Sequence, residues 1–370
     1  MATRGSYQEH GVGDPLAETT VGGLETMDPD VDDGASDRPR RLVVRPSGAD
    51  RAFRLTIIAA GVTVLVIMLA IGLFLTLRAA GALQVAGWGF LTTADWNPES
   101  GSFGIAAVIV GTVSIGLTAI VVALPLALGT ALYISEYAPV RFQRTLINLV
   151  DLMAAIPSVV YGLWGFFLLQ PQLLVRGAQG EGLPRWLATY FGWIPIFRVE
   201  VASGAVDPRD PLTSGTVFTA SAFIAGLVVA LMVAPIACSI MRESFTQAPI
   251  GEREGAYALG ATRWGMIRTV VLPFGAGGII GGTMLGLGRA LGETIAVYMI
   301  ISVVFDVKIR ILESGTSSVS SLIALRVGEA SSQGLSALMA AGLALFVMTL
   351  VINFGAAAAI ARSRSGAISD

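Results

Sequence analysis

Residues 251–302 read GEREGAYALGATRWGMIRTVVLPFGAGGIIGGTMLGLGRALGETIAVYMIIS. A charged, amphipathic opening passes into a long apolar run that holds one arginine, Arg289, and one glutamate, Glu293. In the opening, Glu254, Gly255 and Ala256 are followed after three residues by Gly260, and nine residues later by Val270-Val271-Leu272-Pro273. Glu254 can serve the electrostatics of a helix's first turn, and the small Gly255 and Ala256 allow a partner surface to approach closely. Gly260 suits a turn between two short helices. Leu272-Pro273 can open a membrane helix, because proline is tolerated in a first turn. Arg289 and Glu293 stand four residues apart, so a continuous helix places them on one face. An arginine inside hydrocarbon costs about 2.5–3.5 kcal/mol, so it should face a polar path or a partner.

The spacing of the opening resembles the E-A-A-x3-G-x9-I-x-L-P signature of ABC-importer permeases, with Gly255 in place of the first Ala and Val270 in place of Ile. In that family the segment is a cytoplasmic helix-turn-helix that docks into the ATPase subunit. The resemblance therefore implies ATPase coupling for Glu254, Gly255, Ala256, Gly260, Leu272 and Pro273. Two further phrases, Ile156-Pro157-Ser158-Val159-Val160-Tyr161-Gly162 and Gly288-Arg289-Ala290-Leu291-Gly292-Glu293-Thr294, are similar to the phosphate-importer permeases of the PstC type. They imply a substrate pathway that includes Arg289, Glu293, Thr294, Ser158 and Tyr161. Two alternatives stay open: an Arg289–Glu293 ion pair that pins helices together, and a Pro157 kink that only shapes packing.

Composition sets the class. With 54% hydrophobic residues, only 14% charged ones and a mean hydropathy of +0.72, the chain is an integral membrane protein. One cysteine (Cys238) and one histidine (His10) exclude a disulfide framework and a multi-residue Cys/His metal site. Residues 1–50 lack apolar periodicity and read as a disordered cytoplasmic tail, whose acidic run Asp28, Asp30, Asp32 and Asp33 is solvated rather than metal-binding. Residues 51–370 form the transmembrane permease domain, with the coupling-loop region at 243–273.

Six apolar spans follow, at about 55–77, 105–134, 146–169, 217–241, 264–304 and 335–360. Arginines gather beside them at Arg38, Arg40, Arg41, Arg45, Arg51 and Arg54, then Arg141 and Arg144, then Arg242, Arg253, Arg263 and Arg268, and finally Arg362 and Arg364. The positive-inside rule then puts both termini in the cytoplasm of a plasma (inner) membrane protein. Pro125 is expected to kink the second span and Pro157 the third. The fifth is too long for one upright crossing and should break at Pro273 or among its glycines. Residues 171–216 read as an external segment, part interfacial helix and part platform for a solute-binding protein.

The expected fold is all-α: a polytopic membrane protein with six transmembrane helices, in the type I ABC-importer permease fold. The chain has no G-x4-G-K-[ST] loop and a single lysine, Lys308, so energy must come from another subunit. No cofactor is expected in this chain, ATP and Mg being used by the partner ATPase subunits. The resemblance implies a second, PstA-like permease, two PstB-like ATP-binding subunits, a PstS-like extracytoplasmic phosphate-binding protein and membrane lipid as partners, and no nucleic acid. Permeases for sulfate, molybdate or phosphonate share the coupling motif and remain alternatives. An ion-coupled carrier leaves that motif unexplained, and a membrane enzyme lacks a catalytic cluster.

Overall fold

The computed structural model describes residues 47–176, 181–201, 204–205, 207–210 and 213–364. The readings made on the tail up to Arg45 and on residues 365–370 lie outside these. Contact density divides the chain at Ala60, part-way along the first helix, and the packing that follows is that of Gly61 onward.

Twelve helices carry the argument. Helix α1 (Gly48–Ala86) opens on a reciprocal cap, in which Ser47 Oγ accepts from the Asp50 amide and Asp50 Oδ2 accepts from the Ser47 amide. Helix α2 (Ala106–Leu132) runs unbroken through Pro125 and ends in a π-helical turn, Tyr133–Tyr137, where a loop was expected. Helix α3 is Val140–Ala155, and α4 (Ser158–Trp164) continues through π-helical turns to Leu174. Helix α5 is Leu183–Phe191 and α6 is Ala222–Thr246. Helices α7 (Ile250–Ala258) and α8 (Arg263–Met266) form the expected helix-turn-helix. Helices α9 (Ala276–Gly292), α10 (Ile295–Ile300), α11 (Val319–Arg326) and α12 (Ser332–Arg364) complete the chain.

Four of these elements are long and apolar enough to cross a membrane unbroken, and two bent pairs bring the total to six if each pair is one span. The third expected span, 146–169, is therefore not one straight helix. It starts earlier, at Val140, and turns by 88° between α3 and α4. Pro157 has no amide hydrogen, and its ring holds Ile156 extended (φ −65°, ψ 130°), so the α3 ladder cannot continue. The fifth expected span bends by 64° between residues 274 and 276, two residues beyond Pro273. It then ends at Gly292 rather than running on to 304.

Helices α2 and α6 cross so closely that a Cβ at Gly226 would lie 2.6 Å from Thr118 Cβ. Ile115, Ala119 and Ala123 of α2 meet Ile224, Val228 and Val233 of α6 in the main core. Helix α9 lies over both, with Gly286 against Val233 and Gly116 of α2 against Leu291. The opposite end from the α7–α8 unit is tied across long sequence distances. Val319 N donates to Thr112 Oγ1 (3.0 Å), and Arg310 pairs with Glu313 (3.0 Å) and with Glu200. The backbone amides of Ile311 and Ser314 donate to the carbonyls of Ile196 and Val217, which stitches residues on either side of 213–216 to the loop after α10.

Candidate functional site

Two regions gather the residues singled out above. In the α7–α8 unit, α7 is short, and its turn is made by Gly260 at φ +83°, a conformation that glycine adopts freely. Thr262 then caps α8 by accepting from Gly265 N (3.1 Å). Glu254 and Gly255 face outward, and nothing lies within 4 Å of a Cβ placed on Gly255. Ala256 and Leu272 turn the other way and pack against a core of Ala131, Ile134, Met241 and Phe245. Ile250 and Leu259 stand 72% and 92% exposed, leaving an apolar outer face on a helix pair whose inner face is committed. Pro273 lies in the single turn Leu272–Phe274 that joins this unit to α9.

The second region is a cleft of about 730 Å³ walled by α1, α6, α9 and α12. Its lining is apolar (Leu75, Ile236, Phe346) except for Arg289, Thr349 and Asn353. Thr349 Oγ1 donates to the Phe346 carbonyl (2.9 Å), whereas Arg289 makes no ion pair among the described residues. A cationic fork thus opens into a low-polarity space, where its charge is screened less than in water.

Glu293 is not beside Arg289 on a common helical face, contrary to the expectation from their spacing. Helix α9 ends at Gly292, and Glu293 is extended (φ −67°, ψ 126°) and 9% exposed. Its Oε1 accepts from Ala296 N (3.2 Å), which caps α10, and its carbonyl accepts from Ser320 Oγ (2.7 Å). These contacts stop α9 and start a new helix, so a four-residue separation no longer means one face. Thr294 Oγ1 donates to the Gly292 carbonyl (3.2 Å) in the same break.

Ser158 opens α4, half-buried. Tyr161 is buried one turn on, and its hydroxyl donates to the Met153 carbonyl (2.9 Å), the group that Pro157 deprives of its helical donor. Gly162 lets α4 close on α10, with 2.8 Å between a Cβ there and Ala296 Cα.

Residues 123–365 match the family described as binding-protein-dependent transport system inner membrane component. The phosphate transport system permease protein PstC 2 of Mycobacterium tuberculosis is 39% identical over 316 residues, which cover 84% of this chain and 91% of that protein. PstC of Pasteurella multocida is 39% identical over 266 residues (72% and 77%), and PstC of Xylella fastidiosa strain 9a5c is 35% identical over 309 (84% and 90%). The chain belongs to the PstC family of phosphate-transport permeases. As a PstC-family protein it is a multi-pass membrane component of an ABC transporter and not the ATPase.

The PstC-family fold also brings together groups that the sequence reading passed over. Asn353 is one: an amide in the apolar run LFVMTLVINFG, which sets its Oδ1 3.5 Å from a Cβ placed on Gly288. Glu136 is another, an acid shortly before Arg141 and Arg144, paired with Arg253 at 3.0 Å. Both oddities were visible as lone polar residues in unlike surroundings, but their partners lie far away in sequence.

Proposed function

We propose that this chain forms half of the phosphate pathway of an ATP-driven importer, with Arg289 as the anion-binding group. The observation that carries this is the free guanidinium in an otherwise apolar cleft. A charge that costs about 2.5–3.5 kcal/mol to hold in hydrocarbon, and that has no counter-ion among the described residues, is accounted for by a passing anion. Phosphate suits it, since the planar fork donates two hydrogen bonds to two oxygens and stays charged at every working pH. The relatives matched over most of the chain are phosphate permeases, which favours phosphate over sulfate, molybdate or phosphonate. Glu293, held at the end of the same helix, keeps the local field from binding the anion too tightly for release.

Around this chain we place a second, related permease that closes the other half of the path, two ATP-binding subunits beneath α7 and α8, and an external phosphate-binding protein. The arginines Arg242, Arg253, Arg263 and Arg268 beside the α7–α8 unit favour a cytoplasmic face for that end, and with it for both termini. The outward Glu254 and the exposed Ile250 and Leu259 form the surface that meets the ATPase.

The test is uptake by cells that lack their own importer. Arg289→Lys keeps the charge but loses the fork, and uptake is expected to fall by about one to two orders of magnitude, as for the loss of one charged hydrogen bond. Full uptake in that variant rules out two-pronged recognition. Glu254→Lys is expected to insert normally, lose ATPase subunits on purification and transport little; wild-type uptake excludes the docking role.

A further inference from the structure

The π-helical turn that ends α2 receives both cytoplasmic helices. Arg253 of α7 reaches it with Nη1 3.0 Å from Glu136 Oε2, and its Nη2 donates to the Phe245 carbonyl at the end of α6 (2.6 Å). Arg263 of α8 lies over the ring of Tyr137, 5.0 Å from its centroid. The Glu136 side chain is 4% exposed, and Glu136 Oε1 and Arg253 Nε are buried with no hydrogen-bond partner among the described residues. Consecutive residues of α7 therefore point opposite ways: Glu254 outward, and Arg253 into the membrane domain.

A buried ion pair is a poor stabiliser, because desolvation offsets most of the attraction. One that also strands an oxygen and a nitrogen is poorer still. The carboxylate is held by a single Nη1 bond rather than a two-pronged fork, because Nη2 is taken by the Phe245 carbonyl, so the pair falls short of its strongest geometry. Such a contact can tighten or slacken as the helices it joins shift. The route onward from α2 is packed: Gly116 lies against Leu291, and Ile120 against Gly286, on either side of Arg289 along α9.

We propose that Glu136 and Arg253 are positioning residues for energy coupling, fastening the ATPase-docking helix to the end of α2 so that a displacement of α7 reaches the helix that carries Arg289. This rests on the docking role proposed for α7. The pair does not touch substrate or nucleotide; it carries motion between the elements that do.

The experiment uses the complete transporter with its ATPase subunits, reconstituted in proteoliposomes with phosphate-loaded binding protein. It measures retention of the ATPase subunits, basal ATP hydrolysis, and phosphate moved per ATP consumed. In Glu136→Gln the subunits stay bound and basal hydrolysis is kept. Phosphate moved per ATP is expected to fall about 10-fold, within the 5–150-fold range ordinary for coupled sites. The charge swap Glu136→Arg with Arg253→Glu is expected to recover a good part of that ratio. A wild-type ratio in Glu136→Gln overturns the proposal, and so does loss of the ATPase subunits in that variant, since the pair would then be an assembly contact. Glu254→Lys, run in parallel, separates the two claims. If it transports normally the docking role itself fails, whereas its failure beside a normal Glu136→Gln sinks only the inference about the pair.

Discussion

Replacing Arg289 by alanine is expected to abolish phosphate uptake while the ATPase subunits stay bound. The size of the effect follows from what is removed. A hydrogen bond to a charged group contributes about 1.5–3 kcal/mol, so a two-pronged contact contributes roughly 3–6 kcal/mol. At about 1.4 kcal/mol per factor of ten, uptake should drop by at least ~100-fold. Misfolding does not explain such a loss, because alanine removes an insertion cost of about 2.5–3.5 kcal/mol and leaves no buried partner stranded. The measurement is labelled phosphate uptake in importer-deleted cells at matched membrane expression. Retained uptake would make Arg289 part of the scaffold and leave the substrate assignment to family membership alone.

Gly111→Val prevents the protein from accumulating in folded form. A methyl group at Gly111 would overlap the carbonyl oxygen of Ser317 and lie 2.9 Å from Thr316 Oγ1. The obstacle is backbone, and it cannot step aside, because the same loop is pinned by the bond from Val319 N to Thr112 Oγ1 and by the Ser318 cap of α11. Overpacking of this kind costs about 1–3 kcal/mol where side chains can give, and more where they cannot. Gly129→Ala is the control, since nothing lies within 4 Å of its added Cβ. Detergent-extracted material analysed by size exclusion and thermal unfolding should show a folded peak for the control and little or none for Gly111→Val. A normal peak and melting temperature for Gly111→Val would mean that the α2–α11 contact is looser than described.

What could be read in the sequence was local. The apolar spans, the turn at Gly260 and the interruption at Pro157 each depend on a few neighbouring residues, and each is present. The geometry of the site was not local. Spacing alone put Arg289 and Glu293 on one face, but Ser320, 27 residues away, takes the Glu293 carbonyl, and the carboxylate turns to cap α10. The 88° turn at Pro157 needed knowledge of what α4 would pack against, since a proline permits a break without fixing its angle. Glu136 and Arg253 are separated by 117 positions, and no periodicity relates them. Asn353 was legible only as a solitary amide, because the wall it shares with Arg289 is made by folding.

The cleft has a consequence for synthesis. Its walls are drawn from Leu75, Ile236, Arg289 and Asn353, so the wall made by α12 is the last of the four to leave the ribosome. Asn353 is made 64 residues after Arg289, an interval of about 3–13 s at ordinary elongation rates of roughly 5–20 residues per second. For that time the arginine has entered the bilayer without the amide that later shares its pocket. The nascent chain must therefore tolerate an unsheltered charge for seconds, and the order in which the helices are made is part of what the fold has to survive.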